Sequence, residues 1–266
     1  MNSFKAYFGF TKTPFPQNLN VKNLLKTDQL LAVAERVKYS VELGAIAILT
    51  GEIGTGKSSA LRYATSSFHP SEYHILFVTA TTGSVIEAYK QICSAFKIEV
   101  TSCSKSFLIA QIKSAVLGSF SKRQKVVLVI DEASLLRLDV FKELHTLTQF
   151  DQEDWSLPMI LAGQNSLIDA LQFQPSRSFA SRVVARSKLE PLKSAEVEQY
   201  LLHHLTLAGV TKNLYTDQAI TAIHKLSSGM LRKMNHIARG SLIAAAHQKA
   251  QLVLPEHVQV ASSEVF

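Results

Sequence analysis

The sequence predicts an α/β fold, a parallel sheet sandwiched by helices, followed by a small all-helical unit. Three observations predict it. Four short runs are apolar at nearly every position, as strands buried on both faces must be. Longer segments with apolar residues at helical spacing separate these runs, and such alternation favours parallel strands joined by right-handed crossovers. Past Glu190-Pro191 the apolar runs stop and only helical patterns follow.

In chain order the runs are Ala45-Ile-Ala-Ile-Leu49, His74-Ile-Leu-Phe-Val78, Val126-Val-Leu-Val-Ile130 and Leu157-Pro-Met-Ile-Leu161. Residues 58–67, 83–96, 106–120 and 140–150 carry the helical period between them. Ser181-Arg-Val-Val-Ala-Arg186 reads as the end of a polar helical stretch. Beyond it, helices are expected over 194–208, 216–227 and 231–250. Ser194, with Glu196 and Glu198 close behind, gives the first of these a start with acids at the favourable end of the helix dipole. The chain thus divides into an α/β core over 1–190 and a helical domain over 191–266.

Composition narrows the class. Of 266 residues 47% are hydrophobic and 18% charged, enough apolar surface for a sizeable core and too much for a disordered chain. Only 11 Gly and 7 Pro exclude a collagen-like chain. The net charge of +7 suits a polyanionic partner, nucleic acid or an anionic membrane, without choosing between them. Cys93 and Cys103 form no CxxC or Cys/His pattern, so two thiols in a reducing cytoplasm are expected rather than a zinc site or a disulfide. Residues 1–10 lack the basic and apolar regions of a secretory signal. No apolar run approaches the roughly 20 residues that span a bilayer. The expectation is a soluble cytoplasmic protein with no membrane partner.

Gly51-Glu52-Ile53-Gly54-Thr55-Gly56-Lys57-Ser58 fits G-x-x-x-x-G-K-[ST] at every fixed position, after a strand and before a helix. Glycines let the backbone wrap a phosphate, so that amide N–H groups and the helix N-terminus, with Ser59 next in line, point at the anion. Lys57 would reach the β- and γ-phosphates of ATP, and Ser58 would complete the shell of Mg²⁺. Val126-Val-Leu-Val-Ile130-Asp131-Glu132 delivers two carboxylates to the carboxyl edge of the sheet, where ligands of open α/β folds bind. Asp131 would hold Mg²⁺ through its water shell, and Glu132 would orient or deprotonate the attacking water.

Softer candidates surround this pair. Gln164 and Asn165 follow the fourth apolar run, and either amide could place the lytic water, or simply close a turn after Gly163. Arg182 and Arg186 are either a solvated face or an arginine finger for a neighbouring subunit's nucleotide, a device worth about 10³- to 10⁵-fold in rate. Arg232, after Ser228-Gly229-Met-Leu, could report nucleotide state to the second domain.

The order of these parts, phosphate loop, Asp-Glu strand, amide-tipped strand, Arg-rich segment, helical lid and Gly229-x-x-Arg232, resembles an AAA+ ATPase. Phe4-Lys-Ala-Tyr-Phe8-Gly9-Phe10 with Pro14-Phe15, the Leu49-Thr-Gly51-Glu-Ile-Gly-Thr-Gly-Lys loop and Asp131-Glu-Ala-Ser-Leu-Leu resemble the ExeA-type ATPases within that superfamily. The resemblance covers nearly the whole chain. It implies a P-loop NTPase core with a helical C-terminal lid, Walker A residues Gly51, Gly56, Lys57 and Ser58, and a Walker B pair Asp131 and Glu132. It further implies a sensor-1 role for Gln164 or Asn165, a finger in trans at Arg182 or Arg186, and a sensor-2 role for Arg232.

ExeA-type members include a secretion-assembly ATPase and stand-alone ATPases encoded beside transposases, similar in turn to the target-selecting ATPases of Mu-like and Tn7-like transposition. The secretion branch normally carries a transmembrane helix and a peptidoglycan-binding domain after the ATPase. Neither follows here before Phe266, so the transposition branch is the expectation. That branch implies a homo-oligomer, ring or filament, with nucleotide at its subunit interfaces, on double-stranded DNA, with a transposase and a targeting adaptor as partners. Thr82, Lys97 and Lys105 lie where related ATPases present DNA-facing loops, although a lysine there is also ordinary solvated helix surface. The alternative is a cytoplasmic ATPase for assembly of secretion or envelope machinery.

Overall fold

The computed structural model describes residues 3–150 and 156–264. The extreme ends of the two domains read from the sequence lie outside these residues. By contacts the chain forms two compact units, one of Lys26–Glu52 with Lys57–Leu189, the other of Met1–Leu25, Ile53–Gly56 and Glu190–Phe266. The sequence division at 190 differs from this at Met1–Leu25 and Ile53–Gly56, which cluster with the carboxyl-terminal helices.

The larger unit is a five-stranded parallel sheet: β1 (Ile46–Gly51), β2 (Tyr73–Thr79), β3 (Lys125–Asp131), β4 (Met159–Gly163) and β5 (Val183–Leu189), in the order β2-β3-β4-β1-β5. Its helices are α2 (Asp28–Glu42), α3 (Lys57–Thr65), α4 (Val85–Ala95), α5 (Lys105–Ser121), α6 (Leu138–Leu147), α7 (Ser166–Gln172) and the single turn α8 (Arg177–Ala180); α1 (Ser3–Phe8) belongs to the other unit. Strand alternation sends Ile46, Ile48, Leu128, Ile130, Met159 and Leu161 into one core with Tyr89 and Ile92 of α4, Leu108 and Ile112 of α5 and Phe141 of α6. The opposite set, Ala47, Leu49, Val127, Val129 and Ile160, is equally buried, and α2 and α3 pack against β1. A sheet buried on both faces needs such continuous apolar runs.

The four apolar runs correspond to β1–β4. The fifth strand corrects the helical reading of 181–186: Ala185, Ser187 and Leu189 are buried while Val184, Arg186 and Lys188 are exposed. β5 is an edge strand with one small-residue face inward, so its sequence reads as polar. Cations on an edge also discourage pairing with another strand. Side chains satisfy both ends of α2, and the second ties it to the sheet. Thr27 caps it by accepting from Leu30 N–H, and Lys125 Nζ donates to the terminal carbonyls Val41 O (2.9 Å) and Glu42 O (3.2 Å). Burial lowers the Lys125 pKa, and Glu42 partly offsets that.

The smaller unit adds α9 (Ser194–Leu207), α10 (Asp217–Ser227), α11 (Leu231–His247) and α12 (Pro255–Ser263) to α1. Phe4, Phe10 and Phe15 are buried among Val197, Leu205, Ile223, Met234 and Leu242, which explains why Met1–Leu25 joins it. Burying each aromatic is worth about 1.5–3 kcal/mol. Thr11 N–H donates to Ala208 O at 2.9 Å, and Arg239 Nη1 to Phe15 O at 3.4 Å. Among the described residues no helix is long and apolar enough to cross a membrane, and no cluster of three metal-ligating side chains occurs. Cys93 is buried and Cys103 exposed, both as free thiols.

His204 is buried, stacked on Phe15 with ring centroids 4.9 Å apart and packed beside Tyr200 and His203. Burial, helped by the neighbouring His203, pushes its pKa down to about 4. As pH falls below about 6.5 the unfolded chain takes up a proton that the folded imidazole refuses, so this contribution to stability is lost from there down to about pH 4. The loss is at most on the order of 3 kcal/mol. Urea unfolding at pH 6.5, 5.5 and 4.5 should show a smaller drop for His204→Leu than for the parent; equal drops would place the effect elsewhere.

Candidate nucleotide site

β1 ends at Gly51, the loop turns through 52–56, and α3 opens at Lys57. Gly54 and Gly56 have φ of +89° and +95°, a region that costs a side chain strain but costs glycine nothing. A Cβ on Gly56 would also lie 3.1 Å from Leu231 Cδ1. Lys57 is only 7% exposed, and its ammonium donates to Gly51 O (2.9 Å) and Glu52 O (3.0 Å). A buried ammonium needs such acceptors. Within the smaller unit, Arg232 N–H donates to Gly54 O at 3.1 Å, so Arg232, exposed on the first turn of α11, sits against the loop through its backbone.

The strand order brings the other candidates to the same edge. β4 lies between β1 and β3, with Thr50 opposite Gly163 and Ile130 opposite Leu161. Asp131 and Glu132 therefore emerge one strand away from the end of β4, and Gly51 one strand away on its other side. Asp131 Oδ1 accepts the Glu132 N–H at 2.9 Å. Glu132 sits in the left-handed region, φ 54° and ψ 30°, a conformation costing roughly 1–3 kcal/mol that persists where the surroundings impose it.

Of the two amides just after β4, Gln164 is engaged through its backbone: its N–H donates to Ser134 Oγ at 3.2 Å. Asn165 turns its side chain onto the phosphate loop, Nδ2 donating to Glu52 Oε1 at 2.9 Å. Ser134 is a residue that motif reading passes over. Gly163 leaves room for it, since a Cβ there would fall 2.8 Å from Ser134 N. The only signal in the sequence is a small residue three positions after Asp131 and a glycine ending the fourth run.

Arg182 lies at the opposite edge of the sheet. Its carbonyl accepts from Ile46 N–H at the start of β1, which places it about 16 Å along that strand from its own loop. Arg186 pairs with Ile48, midway along β1. Both arginines are exposed. Burial first, and the Arg182 charge second, lower the pKa of His145 on α6.

Thr82, Lys97 and Lys105 are exposed but not gathered into one patch. Thr82 precedes α4 and Lys97 follows it, so about 16 Å of helix separates them. Lys105 opens α5 and pairs with Glu143, which also accepts from Tyr89 OH at 3.0 Å.

The donor set suits a nucleotide triphosphate with Mg²⁺. Two positive-φ glycines form a cradle without side chains, backbone N–H groups open α3, and Lys57 is held at the loop. Ser58 and Asp131 would offer oxygens of the kind Mg²⁺ takes. When bound there, the ion would neutralise charge on the β- and γ-phosphate oxygens.

Comparison with known proteins agrees. The model of an AAA domain matches residues 42–171. General secretion pathway protein A of Aeromonas hydrophila is 27% identical over 265 residues, 98% of this chain and 48% of that protein. The chain thus spans about half the length of this curated relative. Among solved structures, Cdc6p from Pyrobaculum aerophilum superposes with a TM-score of 0.72 at 16% identity, covering 98% of this chain and 71% of that one. The ORC1 protein of Aeropyrum pernix, solved in complex with DNA, gives 0.70 at 17%, covering 96% and 70%. The RuvB Holliday junction branch migration motor of Thermotoga maritima gives 0.57 at 15%, covering 88% and 69%. Residues 42–171 thus match an AAA domain, and the five-stranded parallel sheet with its phosphate loop is the fold of P-loop AAA+ ATPases.

Proposed function

We propose that this ATPase is an assembly switch acting on duplex DNA. Copies carrying ATP associate on target DNA as a ring or filament, recruit or stimulate a transposase together with a targeting adaptor, and come apart on hydrolysis. The observation that carries the assembly is the place of Arg182, exposed at the amino edge of β5 and about 16 Å from its own phosphate loop. A charge at that distance from its own phosphates is better placed to meet the nucleotide of a neighbouring copy. The net charge of +7, the DNA complex of the structurally similar ORC1 protein and the DNA junctions named for RuvB support DNA as the scaffold.

In this reading Gly51, Gly54, Gly56 and the first N–H groups of α3 cradle the phosphates. Lys57 leaves the loop carbonyls for the β/γ oxygens, because an ammonium–phosphate contact is roughly twice as strong as one to a neutral acceptor. Ser58 and Asp131 hold Mg²⁺, Glu132 orients the water, and Asn165 or Gln164 contacts the γ-phosphate. Arg232 senses the nucleotide from α11.

A second reading rests on a different observation, the 27% identity to General secretion pathway protein A along 98% of this chain. There the same ATPase would drive assembly of secretion or envelope machinery through protein partners.

Lys57→Ala should abolish ATP binding, measured by equilibrium titration with a fluorescent ATP analogue, and with it every ATP-dependent assembly. Retained affinity would remove Lys57 from the site. Glu132→Gln should keep ATP binding while turnover falls about 10²-fold or more; unchanged turnover would free Glu132 from that role. With ATP present, affinity for duplex DNA should fall at least about tenfold between 50 and 200 mM salt. DNA binding that ignores both ATP and salt would end the DNA reading and leave the protein-assembly one.

A further inference from the structure

We propose that Glu52, an unspecified position of the phosphate-loop motif, is a positioning residue whose carboxylate orients the Asn165 amide toward the γ-phosphate end of the nucleotide. The inference takes Asn165, of the two amides offered above, as the one that contacts the γ-phosphate, and rests on that reading. Three observations support it independently.

The first is register. β1 and β4 run parallel with Thr50 opposite Gly163, and Glu52 and Asn165 each stand two residues beyond that pair. Neighbouring strands lie about 4.8 Å apart, so residues at matched positions past their ends meet side by side. The Asn165 Nδ2 to Glu52 Oε1 hydrogen bond, 2.9 Å long, joins residues 113 apart in sequence through this register.

The second is what Asn165 forgoes. It occupies the N-cap of α7, where an asparagine ordinarily accepts from a backbone N–H of the first turn, a bond worth about 1 kcal/mol. Here its side chain makes no capping hydrogen bond. The amide is turned onto the phosphate loop instead.

The third is donor and acceptor chemistry. An ionised carboxylate only accepts, so facing Glu52 the amide must present Nδ2, and its orientation is settled. One N–H goes to Glu52, which leaves the second N–H for a phosphate oxygen and Oδ1 to accept from a water. Facing a neutral acceptor–donor group the amide could adopt either orientation, one of them aiming oxygen at an anion. The Glu52 main chain meanwhile accepts from Lys57 Nζ at 3.0 Å. A single loop residue therefore touches both groups assigned to the γ-phosphate.

Steady-state ATP hydrolysis by the full chain tests the inference, with thermal melting of each variant alongside. Glu52→Ala should lower kcat about tenfold with KM for ATP changed less than about twofold, as expected for a misaimed group. Glu52→Gln, whose side-chain oxygen can still accept but whose NH2 lets the Asn165 amide turn either way, should recover part but not all of that lost kcat. Asn165→Ala should be as slow as Glu52→Ala, and the double variant no slower than Asn165→Ala alone, since the two act as one unit. Normal kcat in Glu52→Ala, no recovery in Glu52→Gln, or losses that multiply in the double variant would overturn the inference. A Glu52→Ala protein with a lowered melting temperature and a raised KM would also overturn it, as a mere structural tie. If Asn165→Ala itself turns over normally, the assignment of Asn165 to the γ-phosphate fails first; if it is slow while Glu52→Ala is normal, only the role of Glu52 fails.

Discussion

The pairing of β4 between β1 and β3 is the constraint on which the site depends. Three segments, ending at Gly51, Asp131 and Gly163, reach one sheet edge because Thr50 lies opposite Gly163 and Ile130 opposite Leu161. Side chains in a strand alternate with period two, so a slip of one residue would exchange the two faces. Ile48 and Leu161 on one side, Ala47 and Ile160 on the other, would all change partners, and each buried aliphatic is worth about 1.5–3 kcal/mol. A hydrogen bond such as that from Gln164 N–H to Ser134 Oγ contributes nearer ~1 kcal/mol. Packing therefore sets the edge, and the polar contacts adjust groups already delivered to it.

At that edge the chain tolerates local costs that packing alone would not select. Lys57 is buried, Glu132 is left-handed, and Asn165 leaves its helix uncapped. Each would be easier to build otherwise: an exposed lysine, a glycine at 132, an amide bonded to its own helix. Strain and unspent polar capacity gathered at the carboxyl ends of parallel strands mark a place where a ligand supplies the missing interactions.

What is legible in the sequence follows from the same physics. β1–β4 are buried on both faces and announce themselves as unbroken apolar runs. β5 buries only Ala185, Ser187 and Leu189, so nothing in its composition separates it from a polar helix end. The segment Met1–Leu25 reads as core because it precedes the core in the chain; its aromatics pack instead with α9–α11, a contact between opposite ends of the sequence that no local pattern encodes. The loop and the Asp-Glu pair are legible because their chemistry needs fixed residues at fixed spacing. Which of Gln164 and Asn165 meets Glu52 is not, since that depends on the register of strands distant in sequence.

The basic charge looks different once its members are placed. Lys57 donates to loop carbonyls, Lys125 to the end of α2, and Lys105 is paired with Glu143, so none of the three is a freely solvated cation awaiting a polyanion. Arg182 and Arg186 stand exposed on an edge strand. Edge protection asks only for charge, which lysine supplies as well as arginine. Planar two-point recognition of phosphate is what arginine adds. In the proposed assembly, Arg182 just before β5 and Arg186 beside the middle of β1 would meet phosphates brought by another molecule as well as guard the edge. The nucleotide of a second copy and the backbone of DNA both present that group, and the distance of Arg182 from its own loop is what favours the former for that residue.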